Sequence, residues 1–255
     1  MSELIYRPLI EDMVWSYSRI KSYECPYAFF LKYISKTEKE EMFYSSYGKF
    51  MHKLIEKYYK NELSRDDMLM EFLSDFSKNV SGARPSSKIA KSYIEAGVEY
   101  IKTFTPFEYK TLAVEKFVEF DVDEIPFVGV IDYIGEKNGD IYIVDNKSKT
   151  LKPRSKRKKP TLNDEELDEM LRQLYLYSIA VKQMYGKYPK SLCFNCFRNG
   201  NFIEEPFDEE KLEEAKAWAK KRIEKIKDTD WFNPNVEFFY CRYICDVNKE
   251  CCYKD

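Results

Sequence analysis

Two aspartates and a lysine crowd one short stretch of this chain: Gly129-Val-Ile-Asp132, then Asn138-Gly139, then Ile141-Tyr-Ile-Val-Asp145-Asn-Lys147. Asn-Gly is the favoured pair for a two-residue type I′ hairpin loop. Such a loop makes Lys137 face Asp140, and the same register sets Asp132 opposite Asp145. Cross-strand partners share a face of the sheet with Cβ atoms roughly 5 Å apart. Lys147, two residues past Asp145, points to that face as well. Carboxylates this close repel unless a cation lies between them or one is protonated. Oxygen ligands suit a hard divalent ion, Mg²⁺ or Mn²⁺. Such an ion polarises a phosphoryl oxygen, while the lysine orients the attacking water or stabilises pentacovalent charge. Phosphodiester hydrolysis uses all three groups. The competing reading is an exposed hairpin whose charges are simply solvated.

Other residues have types and spacings that bear on this chemistry. His52 is the only histidine, and Gly48, His52 and Glu56 recur at four-residue spacing, which puts them on one helix face. Neutral imidazole is a common metal ligand, although a lone helical histidine also serves in plain packing. Gln173 and Tyr177, in Gln173-Leu-Tyr-Leu-Tyr177, stand one helical turn apart. Aromatic residues at that spacing also pack cores, and Tyr175, pointing elsewhere, is expected to do so.

Seven cysteines without a signal peptide do not read as a disulfide framework. Cys25 stands alone near the start, whereas Cys241, Cys245, Cys251 and Cys252 crowd the end. Thiolates so placed can hold a Cys₄ zinc ion or an iron–sulfur cluster. Cys193 and Cys196 lie in a segment that reads as a strand. Their odd offset sends them to opposite faces, which favours core packing over joint chelation.

Taken in order, His52, Asp132, Asp145, Lys147, Gln173 and Tyr177 resemble the PD-(D/E)xK nuclease superfamily. The resemblance is to its RecB-type branch, with the iron–sulfur exonucleases of CRISPR adaptation and the AddB-like nucleases, and runs from about Tyr17 to Cys251. It implies an α/β fold: a mixed central sheet flanked by helices (a restriction-endonuclease-like core), a helical N-terminal region and a C-terminal metal-cluster tail. It implies that His52, Asp132, Asp145 and the main-chain carbonyl of Asn146 hold Mg²⁺ or Mn²⁺, with Asp132, Asp145 and Lys147 catalytic. Gln173 and Tyr177 then contact DNA. Cys25, Cys241, Cys245 and Cys251 hold a 4Fe–4S cluster that pins the tail to the N-terminal helix, with structural Zn²⁺ as the alternative. The chain departs from the pattern where three residues, rather than two, separate Cys241 from Cys245, and Cys252 is a credible substitute for Cys251. The implied activity is a metal-dependent DNA exonuclease acting on single strands or duplex ends. Alternatives are a structure-selective endonuclease on the same scaffold, or a non-catalytic DNA-binding subunit of a recombination or CRISPR-adaptation complex. Homo-oligomers also occur in the family.

The elements that must position these residues follow from periodicity. Phe43 to Asn61, Asp66 to Lys78 and Ser87 to Thr105 read as helices. Leu112 to Val122, Phe127 to Gly135 and Asp140 to Ser148 read as strands, and Asn163 is expected to cap a helix that Gly186 closes. A second hairpin turns at Gly200, and Asp208 to Lys227 is a charged helix. The division expected is 1–110 helical, 111–206 nuclease core and 207–255 helix plus cysteine tail. The chain of 255 residues is 44% hydrophobic and 34% charged, ample for a core, and its net charge of −2 carries no signal for nucleic acid. The basic run from Lys152 to Lys159 is either a DNA guide or a solvated loop. No apolar run reaches the roughly 20 residues of a membrane span, and the free thiols fit a reducing cytoplasm.

Overall fold

The computed structural model describes residues 6–253. Among them, five strands form one sheet in the order β1-β2-β3-β4-β5: β1 Lys110–Val122, β2 Ile125–Lys137, β3 Asp140–Lys147, β4 Ser191–Cys196 and β5 Asn201–Pro206. β1, β2 and β3 form an antiparallel meander, β3 and β4 run parallel, and β5 returns antiparallel on β4. A parallel step needs a crossover, which helix α7, Leu162–Tyr185, provides. The interior strand β4 is buried along its whole length, and the central strand β3 nearly so, as expected of strands covered on both faces.

The expected register holds. Lys137 faces Asp140, and pairing continues through Tyr133 opposite Val144, so the next step brings Asp132 and Asp145 together. Asn138 and Gly139 take φ 57° and 84°, the left-handed values that a type I′ turn requires.

Short helices α1 Arg7–Glu11, α2 Tyr17–Ser22 and α3 Pro26–Phe29 open the chain. Ser16 caps α2, its hydroxyl accepting from the Arg19 amide. Helices α4 Phe43–Tyr59, α5 Arg65–Asn79 and α6 Ser87–Thr103 close around their own apolar core of Tyr47, Phe50, Leu54, Phe72 and Ile101, joined to the sheet by Phe197. The main core lies between the sheet, α7 and α8, Glu209–Lys227. The cap of α7 is Thr161 rather than Asn163. A reciprocal box forms, with Thr161 Oγ accepting from the Asp164 amide and the Asp164 carboxylate accepting from the Thr161 amide.

The basic run is partly tied down at this cap. Arg154 pairs with Asp168 and Glu205, and the Ser155 amide donates to Asp164. Beyond α8 the chain returns to the N-terminal region through α9, Phe238–Tyr243. The Tyr27 amide donates to the Asn233 carbonyl and Lys32 pairs with Asp246 at 2.5 Å. No helix among the described residues is long and apolar enough to cross a membrane.

Candidate functional site

Three neighbouring strands each bring a carboxylate to one spot. In β1–β2 pairing, Val114 faces Tyr133 and Lys116 faces Ile131, so Glu115 and Asp132 are opposed. Asp145 lies on the other side of Asp132, on β3. Glu115 has φ 50°, an unusual backbone for a residue that is not glycine, at an interruption of regular pairing. His52 comes from α4, its Nδ1 3.4 Å from Asp132 Oδ2. The helix passes beside the end of β3 at Gly48, where an added Cβ would stand in ordinary contact, 3.6 Å from Ser148 Oγ. One potential ligand atom each from His52, Glu115 and Asp132 lies within 4.8 Å of the other two.

Asp132 and Asp145 are enclosed, their side chains 11% and 6% exposed. Burial, reinforced by the charge of Asp145, pushes Asp132 well above the usual carboxylate range. Burial and the nearby Glu56 raise Glu115. Burial lowers His52, which favours the neutral imidazole that ligation requires. The charge of Asp145 and, less strongly, the nearby main chain of Asn146 partly oppose that shift. The Asn146 amide donates to Asp132 Oδ2 at 2.7 Å.

Lys147 Nζ stands 2.7 Å from Asp145 Oδ2. That oxygen is nonetheless buried without a well-formed hydrogen bond. Carboxylates drawn together in a half-buried site repel one another, which a divalent cation relieves, and hard oxygen donors plus one imidazole suit Mg²⁺ or Mn²⁺. The residues fit the ion.

From Lys147 a hydrogen-bonded chain runs onto α7. Lys147 Nζ donates to Gln173 Oε1 at 3.1 Å, and Gln173 Nε2 donates to the Tyr177 hydroxyl at 3.2 Å. Tyr177 is buried, and burial pushes its pKa up to about 12. Its ring packs on Gly129, where an added Cβ would stand 2.8 Å from the Tyr177 hydroxyl oxygen. The glycine of Gly129-Val-Ile-Asp132 therefore makes room for this tyrosine. Tyr175 is buried in the core, as expected.

The cysteines divide in two. Cys193 and Cys196 join different apolar clusters, as their odd offset requires. Cys25, Cys241, Cys245 and Cys251 all line one small cavity between α3 and the C-terminal segment, and the Asn235 amide donates to Cys25 Sγ at 3.3 Å. The thiols are free, and among the described residues no three sulfurs lie within 4.8 Å of one another. Cys252 lies apart, its thiol against the Tyr27 hydroxyl.

Glu115 is the residue that sequence reasoning missed. Its signal was a second two-residue turn. Val122 faces Ile125 across Asp123-Glu124, and counting back from that turn sets 115 against 132. Neither turn residue is glycine, yet both take left-handed φ values, 47° and 71°.

Comparison with known proteins agrees with this geometry. The crystal structure of a candidate exonuclease from Eubacterium rectale superposes with a TM-score of 0.54 at 16% identity, covering 98% of this chain and 92% of that one. No curated protein matches the sequence. The family description "PD-(D/E)XK nuclease superfamily" matches residues 14–252. Nearly the whole chain, with its acid row, single histidine and adjoining lysine, thus belongs to the PD-(D/E)XK nuclease superfamily.

Proposed function

We propose that the protein is a metal-dependent DNA exonuclease of the RecB-like branch, acting on single strands or duplex ends. The observation that carries it is the convergence of His52, Glu115 and Asp132, flanked by Asp145 and Lys147. His52, Asp132, Asp145 and the Asn146 carbonyl would hold Mg²⁺ or Mn²⁺, and Glu115 adds a carboxylate to the set expected from sequence. The ion's chemistry is to polarise the phosphoryl oxygen and offset charge in the transition state. Lys147, held by Asp145 and Gln173, orients the attacking water for in-line displacement. Gln173 and Tyr177 position Lys147, and through it the strand. The name of the structurally similar Eubacterium rectale protein adds support for exonuclease over endonuclease action.

The cavity lined by Cys25, Cys241, Cys245 and Cys251 is proposed to hold a 4Fe–4S cluster. Tetrahedral zinc at 2.3 Å would gather the sulfurs to about 3.8 Å apart, whereas among the described residues no three of them lie within 4.8 Å of one another. A polynuclear cluster needs them further apart, and the Asn235 amide supplies the kind of N–H···S bond that tunes such clusters. The cluster's role would be to fasten the C-terminal segment to α3.

End-labelled linear and covalently circular single-stranded DNA, each incubated with Mn²⁺, test the activity. The expected result is stepwise loss of the linear strand with the circle intact. Cutting of the circle would establish the endonuclease instead.

A further inference from the structure

A second concavity lies away from the acid row, where α6 ends and the edge strand β5 begins, with a volume of about 400 Å³. Its apolar walls are aromatic and braced. Phe107 stacks on Tyr59, ring centres 4.6 Å apart and planes 11° apart, and the Phe107 amide donates to the Tyr59 hydroxyl at 3.0 Å. Tyr109 stacks on Tyr142 at 4.4 Å. Phe202 stands against Phe107 at 5.6 Å but is 42% exposed, leaving much of its surface free. Walls held by stacking behind them are preformed, as small-molecule sites usually are.

The polar groups narrow the ligand. Asn195 lines the cavity and is itself 6% exposed. Its Nδ2 donates to the Tyr100 hydroxyl and to Asn146 Oδ1, both at 2.7 Å. Glu204 and Glu108 also line the cavity, and its lysine, Lys137, is paired with Glu108 at 2.9 Å. The charge therefore disfavours phosphate, whereas flat aromatic walls beside amide and carboxylate groups suit a planar heterocycle with hydrogen-bonding edges.

We propose that this cavity is a nucleobase site, filled by the base of a free nucleoside or by an unstacked base of a bound strand. Base–aromatic stacking is the attraction; Glu204 and the carbonyl oxygen of Asn195, whose two N–H groups are engaged by Tyr100 and Asn146, accept from the amino edge of the base. The site also reaches the acid row. Asn195 grips the side chain of Asn146, whose amide holds Asp132. A base resting on Asn195 thus biases the strand between Asp145 and Lys147, and linkage makes the effect reciprocal.

Equilibrium dialysis of the full chain against labelled deoxyadenosine and deoxycytidine in EDTA tests this without the metal site, so its failure and that of the hydrolytic reading are separable. Saturable one-to-one binding is expected. Inorganic phosphate should not compete, and Phe202→Ala should weaken binding roughly tenfold, the loss of one base–aromatic stack. Phe202 is half exposed on an edge strand, so this variant keeps its core, and Phe107→Ala provides a second reading. Competition by a short single-stranded oligonucleotide would assign the base to a bound strand, and its absence to a free nucleoside. No saturable nucleoside binding by the unaltered chain, or binding unchanged in both variants, would overturn the proposal.

Discussion

The amide of Asn146 donates to Asp132 Oδ2 across 2.7 Å, so the middle residue of the Asp-Asn-Lys triplet holds the acid of the neighbouring strand. The three residues of β3 thereby serve different ends. Asp145 extends the acid row, Asn146 fixes Asp132 through its main chain, and Lys147 turns toward α7 through Gln173. Each role depends on strand alternation and on the hairpin register, which is why one short stretch can position so much chemistry.

The acid row makes stability depend on pH. Asp132 has a folded pKa raised above its unfolded value. Its favourable contribution is complete below the unfolded value and is lost as pH rises through the folded one. Without metal, the Tm of the unaltered chain relative to that of Asp132→Asn, a comparison that cancels the opposite effect of the lowered His52, should therefore be lower at pH 8 than at pH 5. Mn²⁺ competes with that proton, so the gain in Tm on adding Mn²⁺ should grow with pH. A gain equal at both pH values would contradict this.

Glu115→Gln should retain the fold and weaken Mn²⁺ binding by about tenfold or more, the scale on which metal-site partners act. Calorimetric titration measures it directly. Unchanged affinity would remove Glu115 from the ligand set and return the site to the residues expected from sequence.

Lys147→Ala removes the ammonium between Asp145 and Gln173. Cleavage of a labelled strand should fall by about 10²–10⁴-fold, the usual worth of a group that manages proton transfer, while Mn²⁺ still binds. Full activity in this variant would reject the role given to the lysine.

Gly129→Ala forces a methyl group into the Tyr177 ring. Overpacking of this kind costs about 1–3 kcal/mol, readable as a lower denaturation midpoint in urea. Displacing Tyr177 also disturbs Gln173 and Lys147. Activity should fall as well, although no metal-site residue has changed. A neutral variant would show that the tyrosine is free to move.

The cluster proposal predicts a brown protein when purified without oxygen, with about four irons per chain by metal analysis. Cys245→Ser should lose both colour and iron. A colourless preparation carrying one zinc per chain would contradict it.

Much of this was legible in the sequence because it rested on local rules. Asn138-Gly139 announces its turn type, and from that turn Asp132, Asp145 and Lys147 follow by counting. The cap of α7 was displaced by two residues because the Thr161 box closes with Asp164 rather than the more familiar Glu or Gln. Glu115 was hidden for a longer-range reason. Ending one strand at Val122 and starting the next at Phe127 leaves a four-residue connection, whereas the real turn is Asp123-Glu124. A two-residue error in the turn shifts the register and sets Phe117, not Glu115, against Asp132. The positive φ of Glu115 and the irregular pairing near Thr111 are set by tertiary packing that no local pattern reports. The meeting of Asn195, Tyr100 and Asn146 likewise depends on residues distant in sequence.

The most direct measurement is anomalous scattering from crystals soaked in Mn²⁺ at the manganese absorption edge. The account predicts a peak within coordinating distance of His52, Asp132 and Asp145, with Glu115 at or beside it. A manganese ion bound elsewhere, or none bound at saturating concentration with these side chains ordered, would contradict metal-dependent hydrolysis at this site.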